Sequence, residues 1–276
     1  MRYTRLQISN GDHASISNKT IPNNKLIPWL ILGIWILFGT LCLEPGTSFA
    51  QSAKEIVQKA EDAIKGKTSS HSIMEMTIKT PDYTRTMKME SWTSGTSKAL
   101  VKILSPAREA GNRTLKLGND IWMYLRNTET TIRIPPSMML QSWNGSDYTY
   151  DDMIREETLT EDYDITISGT EKINDVDCWE LQLIPKPNAP VVWGKILYWV
   201  RKTDDLPAQV EYFDEKGQLM RTMIMSDYKI MGGRKVPAIW TMYNSDKTHS
   251  TEIKMDEAQF DTKIPGSIFS MKELEK

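Results

Sequence analysis

The chain has 276 residues, with 34 Lys and Arg against 36 Asp and Glu, and a formal net charge of −2. That balance argues against nucleic-acid binding, which draws its affinity mainly from Lys and Arg contacts to phosphate. It also leaves no polybasic patch for anionic lipid heads.

The first fifty residues read as a secretory leader. Residues 26–43 are apolar throughout and uncharged, with Lys25 immediately before them and Arg2, Arg5 and Lys19 further back. Glu44, Pro45 and Gly46 break the run, and Ser48-Phe49-Ala50 places small residues at −3 and −1 of a cut before Gln51. Basic, apolar and small-residue segments in that order predict export to the periplasm. The alternative is an uncleaved inner-membrane anchor facing the periplasm, because the run reaches the lower limit of a span, roughly 17–25 residues. Cys42 follows Leu41, where a lipobox needs a small residue, so a lipid-modified cysteine is disfavoured.

Residues 51–276 then form one domain by length. Without the leader the net charge shifts from −2 to −4. Cys178 is the one cysteine left, so no internal disulfide is available, and its setting in VDCWELQL predicts a small buried hydrophobe. Fifteen of the sixteen Met follow the leader. Met suits an apolar surface that must repack around variable partners, and it equally suits an ordinary core as filler.

The first predicted element is a helix over 53–65. Ile56, Val57, Ala60, Ala63 and Ile64 share one face, Ser52 and Glu55 suit a capping box, and Gly66 stops the helix. Its apolar face should lie on a sheet. Alternation then predicts strands over 72–80 and 84–94, with Met74, Met76 and Ile78 on one face of the first and Met87 and Met89 on one face of the second. Pro81-Asp82 turns between them. Further strands read 98–104, 113–117, 120–126, 130–134, 163–170, 177–184, 195–201, 208–214, 219–228, 234–243 and 250–256. Short turns such as Asn174-Asp175 and Gly232-Gly233 separate them, so an antiparallel meander is expected. The predicted fold class is mainly β with α: an antiparallel curled sheet or incomplete β-barrel covered by short helices.

Residues 135–157 interrupt the strand rhythm. Pro135-Pro136 ends a strand, Met138, Met139, Leu140 and Trp143 form an apolar cluster, and Gly145-Ser146-Asp147 turns the chain. Thr149 suits a cap for a helical turn through Met153 and Ile154. Such an insertion is either a lid over one sheet face or a core plug, since long loops in compact domains are usually functional. The tail 263–274 reads as a turn and a short helix held down by Phe269 and Leu274.

Catalytic chemistry is missing from the sequence. His71 and His249 are isolated and fall in predicted strands, and no HExxH, CxxC or GxSxG occurs. Asp147, Asp151 and Asp152 do not match a calcium loop and are explained by capping. Glu156-Glu157 with Glu161-Asp162 reads as a solvated face. A non-enzyme without metal or cofactor is expected.

Four segments together resemble the LolA-like superfamily, and within it the broader group of outer-membrane lipoprotein-sorting proteins. They are Asn144-Gly145-Ser146-Asp147-Tyr148-Thr149-Tyr150-Asp151-Asp152-Met153, Tyr212-Phe213-Asp214 with Gly217, Gly233-Arg234-Lys235-Val236-Pro237, and Ile264-Pro265-Gly266-Ser267-Ile268-Phe269-Ser270 with Leu274. The resemblance implies an unclosed barrel with an apolar cavity for lipid or lipoprotein acyl chains. It also implies partners: an inner-membrane RND-type exporter and an outer-membrane acceptor. On this reading Met138, Met139, Leu140 and Trp143 are candidate lid residues. Met74, Met76, Ile78, Met87 and Met89 are candidate cavity residues, joined by Trp122, Tyr124 and Trp199. The strand choices rest on alternation, so a one-residue slip would reverse them. The rival readings are a partner-binding sensor module of the same fold, an anchored accessory subunit of a lipid exporter, and a lipid hydrolase.

Overall fold

The computed structural model describes residues 51–150, 152, 159–189 and 191–276. The leader lies outside the described residues, as do Asp151 and the predicted helical residues Met153 and Ile154. Helix α1 runs over Ala53–Lys65. Its capping box forms as predicted: Glu55 N–H donates to Ser52 Oγ at 3.2 Å and Ser52 N–H to Glu55 Oε2 at 2.9 Å. Ile56, Val57 and Ala60 are fully buried.

All thirteen predicted strands form. They are β1 Ser69–Lys79, β2 Thr84–Ser94, β3 Lys98–Ser105, β4 Arg113–Leu117, β5 Asp120–Leu125 and β6 Thr130–Ile134. Then come β7 Tyr163–Ile173, β8 Val176–Pro185, β9 Lys195–Arg201, β10 Pro207–Phe213, β11 Leu219–Met231, β12 Arg234–Asn244 and β13 Ser250–Phe260. Among the described residues, two further short helices are α2 Leu159–Asp162 and α3 Met271–Leu274.

The strands make one antiparallel sheet of two meanders, β1–β6 and β7–β13, joined where β1 pairs with β13. The edge strands are β6 and β7, which follow each other in sequence but do not pair. The sheet is therefore curled but not a closed barrel, and residues 135–162 connect its two edges. Register shifts at Ile73/Met74, Lys88/Met89, Ile167/Gly169 and Tyr212/Phe213 add local twist to the strands. Tight hairpins come from paired positive-φ residues, Asn174 and Asp175 at 48° and 65°, and Gly232 and Gly233 at 53° and 80°. Gly232 is also required by space, because a Cβ there would fall 2.9 Å from the Ala258 carbonyl oxygen.

Two layers cover the inner face. Over β7–β11, α1 and Leu159 of α2 bury their apolar side chains against Leu181, Leu183, Ile196, Tyr198, Val200, Val210 and Met225. Over the other meander, the connection between the sheet edges inserts Trp143, Tyr148 and Tyr150 against Met76, Ile78, Met87, Met89, Val101, Ile103 and Ile121. The outer face of β3–β5 is covered by the tail, where Phe269 and Leu274 pack on Leu100, Leu115 and Tyr124 as predicted. Arg113 Nη1 donates to the buried Leu274 carbonyl at 3.3 Å and fixes that tail. Cys178 is fully buried beside Trp199 and Ala208, and burial pushes its thiol up. His249, expected within a strand, instead sits exposed in the turn before β13.

Candidate functional site

A cavity of about 260 Å³ lies between α1 and the inner face of the sheet. Five methionines line it: Met74 of β1, Met223 and Met225 of β11, Met242 of β12 and Met255 of β13. Ile196, Tyr198, Val210, Trp240 and Ile253 extend the apolar wall from the strands, with Ile64 of α1 and Leu159 of α2 opposite. The volume falls just under the usual range for small-molecule sites, about 300–1,000 Å³. Flexible thioether side chains let such a wall move to fit a bulkier guest.

The cavity exists because its two covers do not meet over the middle of the sheet. The connection 135–150 seals one half of the inner face. Residues 141–150 fold as a small hairpin, with Trp143 N–H donating to the Tyr148 carbonyl at 2.7 Å and Tyr150 N–H to the Gln141 carbonyl at 3.1 Å. Asn144 and Gly145 turn it with φ of 52° and 75°. Trp143 is buried to 1% exposure and its Nε1 donates to Thr114 Oγ1 at 3.3 Å.

An ion pair ties this hairpin to the other meander. Arg221 donates to both carboxylate oxygens of Asp152, at 2.6 and 2.5 Å, and the pair is largely buried. The guanidinium lies 4.5 Å from the ring centres of both Trp193 and Tyr212. Thr149 and Asp152 cap one another, with Asp152 N–H donating to Thr149 Oγ1 at 3.1 Å. Asp147 accepts from Thr251 Oγ1 at 2.7 Å. Asp147 and Asp152 thus serve as anchors of the hairpin. Burial, with Asp152 adding to it, holds the Tyr148 hydroxyl well above its ordinary range.

The cavity continues into a polar vestibule of about 200 Å³. Glu61, Lys65, Thr93, Gly95, Thr96 and Leu159 line both spaces, so the mouth lies between the C-terminal end of α1 and the β2–β3 turn. Glu61 pairs with Lys65 and accepts from the Tyr198 hydroxyl at 3.1 Å.

The predicted site residues divide into three groups. Met74 lines the cavity. Met76, Ile78, Met87 and Met89 are on the predicted face but lie beneath the hairpin, fully buried in solid core. Trp143 belongs to that core, Met138 and Met139 pack on its margin, and Leu140 is 55% exposed. Residues 135–150 are therefore a plug over the first meander. Trp122 and Tyr124 lie on the outer face under the C-terminal tail, and Trp199 lies beside Cys178 rather than beside cavity-lining Tyr198. On both strands the opposite face is the inner one, carrying Ile121 and Met123 on β5 and Tyr198 on β9. The signal for Met223 and Met225 on β11, and for Trp240 and Met242 on β12, is the same two-residue alternation.

A protein-family model with the description "-like: Uncharacterized protein" matches residues 95–276. The chain belongs to that family. Among solved structures, a DUF1329 family protein from Desulfovibrio piger matches with a TM-score of 0.73 at 21% identity, over 81% of this chain and 99% of its own. An outer membrane lipoprotein-sorting protein domain from Vibrio parahaemolyticus matches with a TM-score of 0.71 at 25% identity, over 81% and 98%. The LolA superfamily protein NE2245 from Nitrosomonas europaea matches with a TM-score of 0.69 at 22% identity, over 81% and 99%. The fold is LolA-like. No curated protein matches the chain. No helix among the described residues is long and apolar enough to cross a membrane.

Proposed function

We propose that this protein is a periplasmic carrier that shelters the acyl chain of a lipid or lipoprotein during transfer towards the outer membrane. The observation that carries the reading is the methionine-lined cavity between α1 and the sheet. An acyl chain exposed to water costs about 0.8 kcal/mol per CH₂, so transport through an aqueous space needs such a shelter. Release requires only a partner offering a better site. An inner-membrane RND-type exporter as donor and an outer-membrane acceptor fit that cycle. The Vibrio parahaemolyticus relative, described as a lipoprotein-sorting domain, agrees with the reading. Among the described residues, no group of His, Cys, Asp or Glu is placed to hold a metal ion.

The test is native mass spectrometry of protein purified without detergent, followed by organic extraction. A co-purifying lipid or acylated peptide is expected. A clean apo mass, with no uptake of added phospholipid or acyl probe, removes the carrier reading.

A further inference from the structure

The cavity has a definite far end. From the mouth beside the β2–β3 turn, its wall on β1 runs inward through Ser70, Ser72 and Met74. That stretch of strand spans about 13 Å. The next inward-facing residue, Met76, lines no free space and is fully buried in the core. Tyr148 of the plug stands at this boundary. Its side chain lines the cavity and also belongs to the core beneath the plug. Its hydroxyl faces Met223 Sδ, on the cavity wall, at 3.9 Å. Trp143 and Tyr150, the other two inserted aromatics, do not line the cavity.

The side walls and the end wall differ in stiffness. Thioethers turn about several bonds and adapt to a guest. Tyr148 is instead an aromatic ring on a fastened backbone. Its carbonyl accepts from Trp143 N–H at 2.7 Å, and its own N–H donates to Ser146 Oγ at 3.2 Å. Asp147, just before it, is tied to Thr251 of β13, and Asp152, just after it, to Arg221 of β11. Moving methionines widens the cavity, but lengthening it means dislodging the plug.

Volume then limits the guest. A cavity of about 150 Å³ holds one benzene, six carbons, so about 260 Å³ holds roughly ten. That is one chain, and a second one finds the neighbouring half of the inner face already filled by Trp143, Tyr148 and Tyr150. We infer that Tyr148 is a length stop, and that the cargo is a single-chain amphiphile with about ten carbons buried. This rests on the carrier reading and narrows it. A cargo with two or three chains would leave the others in water, where exposed hydrocarbon is unfavourable. A free fatty acid and a lysolipid share the required chemistry.

The experiment is titration calorimetry of the purified protein with linear alcohols from hexanol to tetradecanol. Each CH₂ that enters the cavity should tighten binding about fourfold. The gain should stop near decanol. Decanoyl-lysophosphatidylcholine and didecanoylphosphatidylcholine share a head and differ by one chain, and the second chain should add no affinity. In Tyr148→Ala, with its fold checked by a cooperative thermal melt, the plateau should move out to dodecanol or beyond. Should that variant not fold, Tyr148→Leu keeps an apolar side chain and should move the plateau the same way by less. Organic extraction of protein purified without detergent names the source, fatty acid or lysolipid. Gains that continue through tetradecanol, tighter binding of the two-chain lipid, a plateau unmoved in a folded variant, or a co-purified diacyl or triacyl species each overturn the length stop and leave the carrier standing. Binding by none of the alcohols and neither lipid overturns both.

Discussion

The two halves of the inner face start from the same pattern and finish differently. Over β1–β6, Met76, Met87 and Met89 lie under Trp143, Tyr148 and Tyr150 with no space between. Over the second meander, Met223, Met225, Met242 and Met255 face open volume beneath α1. The strands do not cause the difference, since both halves alternate apolar and polar residues. The covers cause it. Three aromatic side chains on a hairpin reach deep into the sheet, whereas α1 packs Ile56, Val57 and Ala60 over β7–β11 and leaves the space beside Ile64 unfilled. The same residue type is thus packing material in one half and adaptable wall in the other, which resolves the two meanings that a methionine-rich sequence leaves open.

The sharpest way to break this contrast is at the plug. Trp143→Ala should cost about 3–5 kcal/mol in urea unfolding, as expected for a fully buried large aromatic. Acyl-probe affinity of the still-folded fraction should change little. If instead stability holds and binding falls, the plug half is part of the binding site. A charged residue at 143 would serve less well, because it would unfold the protein before it reported on binding.

The link between the halves comes next. Arg221→Met leaves the Asp152 carboxylate without its bidentate partner, and should destabilise the protein by about 3 kcal/mol. It should also speed proteolysis within residues 141–150, read by mass spectrometry of timed digests. Unaltered digestion would mean that Trp143 and Tyr148 hold the hairpin without the ion pair.

A smaller effect separates wall from core. Val210, buried to 5% exposure, lines the cavity. Val210→Phe should fill part of it and weaken acyl-probe binding about tenfold, while stability shifts by less than about 1.5 kcal/mol. A large loss of stability would show that the volume beside Val210 is not available to a side chain, and so not to a guest.

The smallest effect is electrostatic and lies where the chain leaves α1. Asp261 accepts from the Lys67 and Thr68 N–H groups at 2.7 and 2.8 Å and pairs with Arg234. Desolvation opposes ionisation, but these donors prevail and hold the carboxyl at about 2. Its folded value lies below the ordinary carboxylate range, so its stabilisation is present above about pH 4 and is lost as the pH falls towards 2. Asp261→Asn should flatten that acid limb in melts taken from pH 5 to pH 2. An unchanged limb would place the acid sensitivity in other carboxylates. Because Asp261 is exposed and its contacts are open to solvent, the loss should be under about 1 kcal/mol.

Much of this molecule was legible from local pattern. Helix α1, with its Ser52–Glu55 box, and all thirteen strands follow from spacing, caps and turns, because these signals act within a few residues of chain. The inner face of β1 and β2 was also correctly assigned, since alternation is local. Trp122, Tyr124 and Trp199 went astray because hydrophobicity alone does not say which face is which. No sequence signal pointed to the pairing of Arg221 with Asp152, which are far apart in the chain and meet only when the hairpin crosses the sheet.

By itself, the sequence determined the class of fold, the antiparallel order of the strands and an interior rich in methionine, because periodicity and turn chemistry are short-range properties. Only the tertiary structure decided that the opening falls between β6 and β7, that residues 141–150 are a plug, and that the free volume lies beneath α1. Those outcomes depend on how far side chains from distant segments reach into one shared space, and a volume left unfilled is a property of every wall at once.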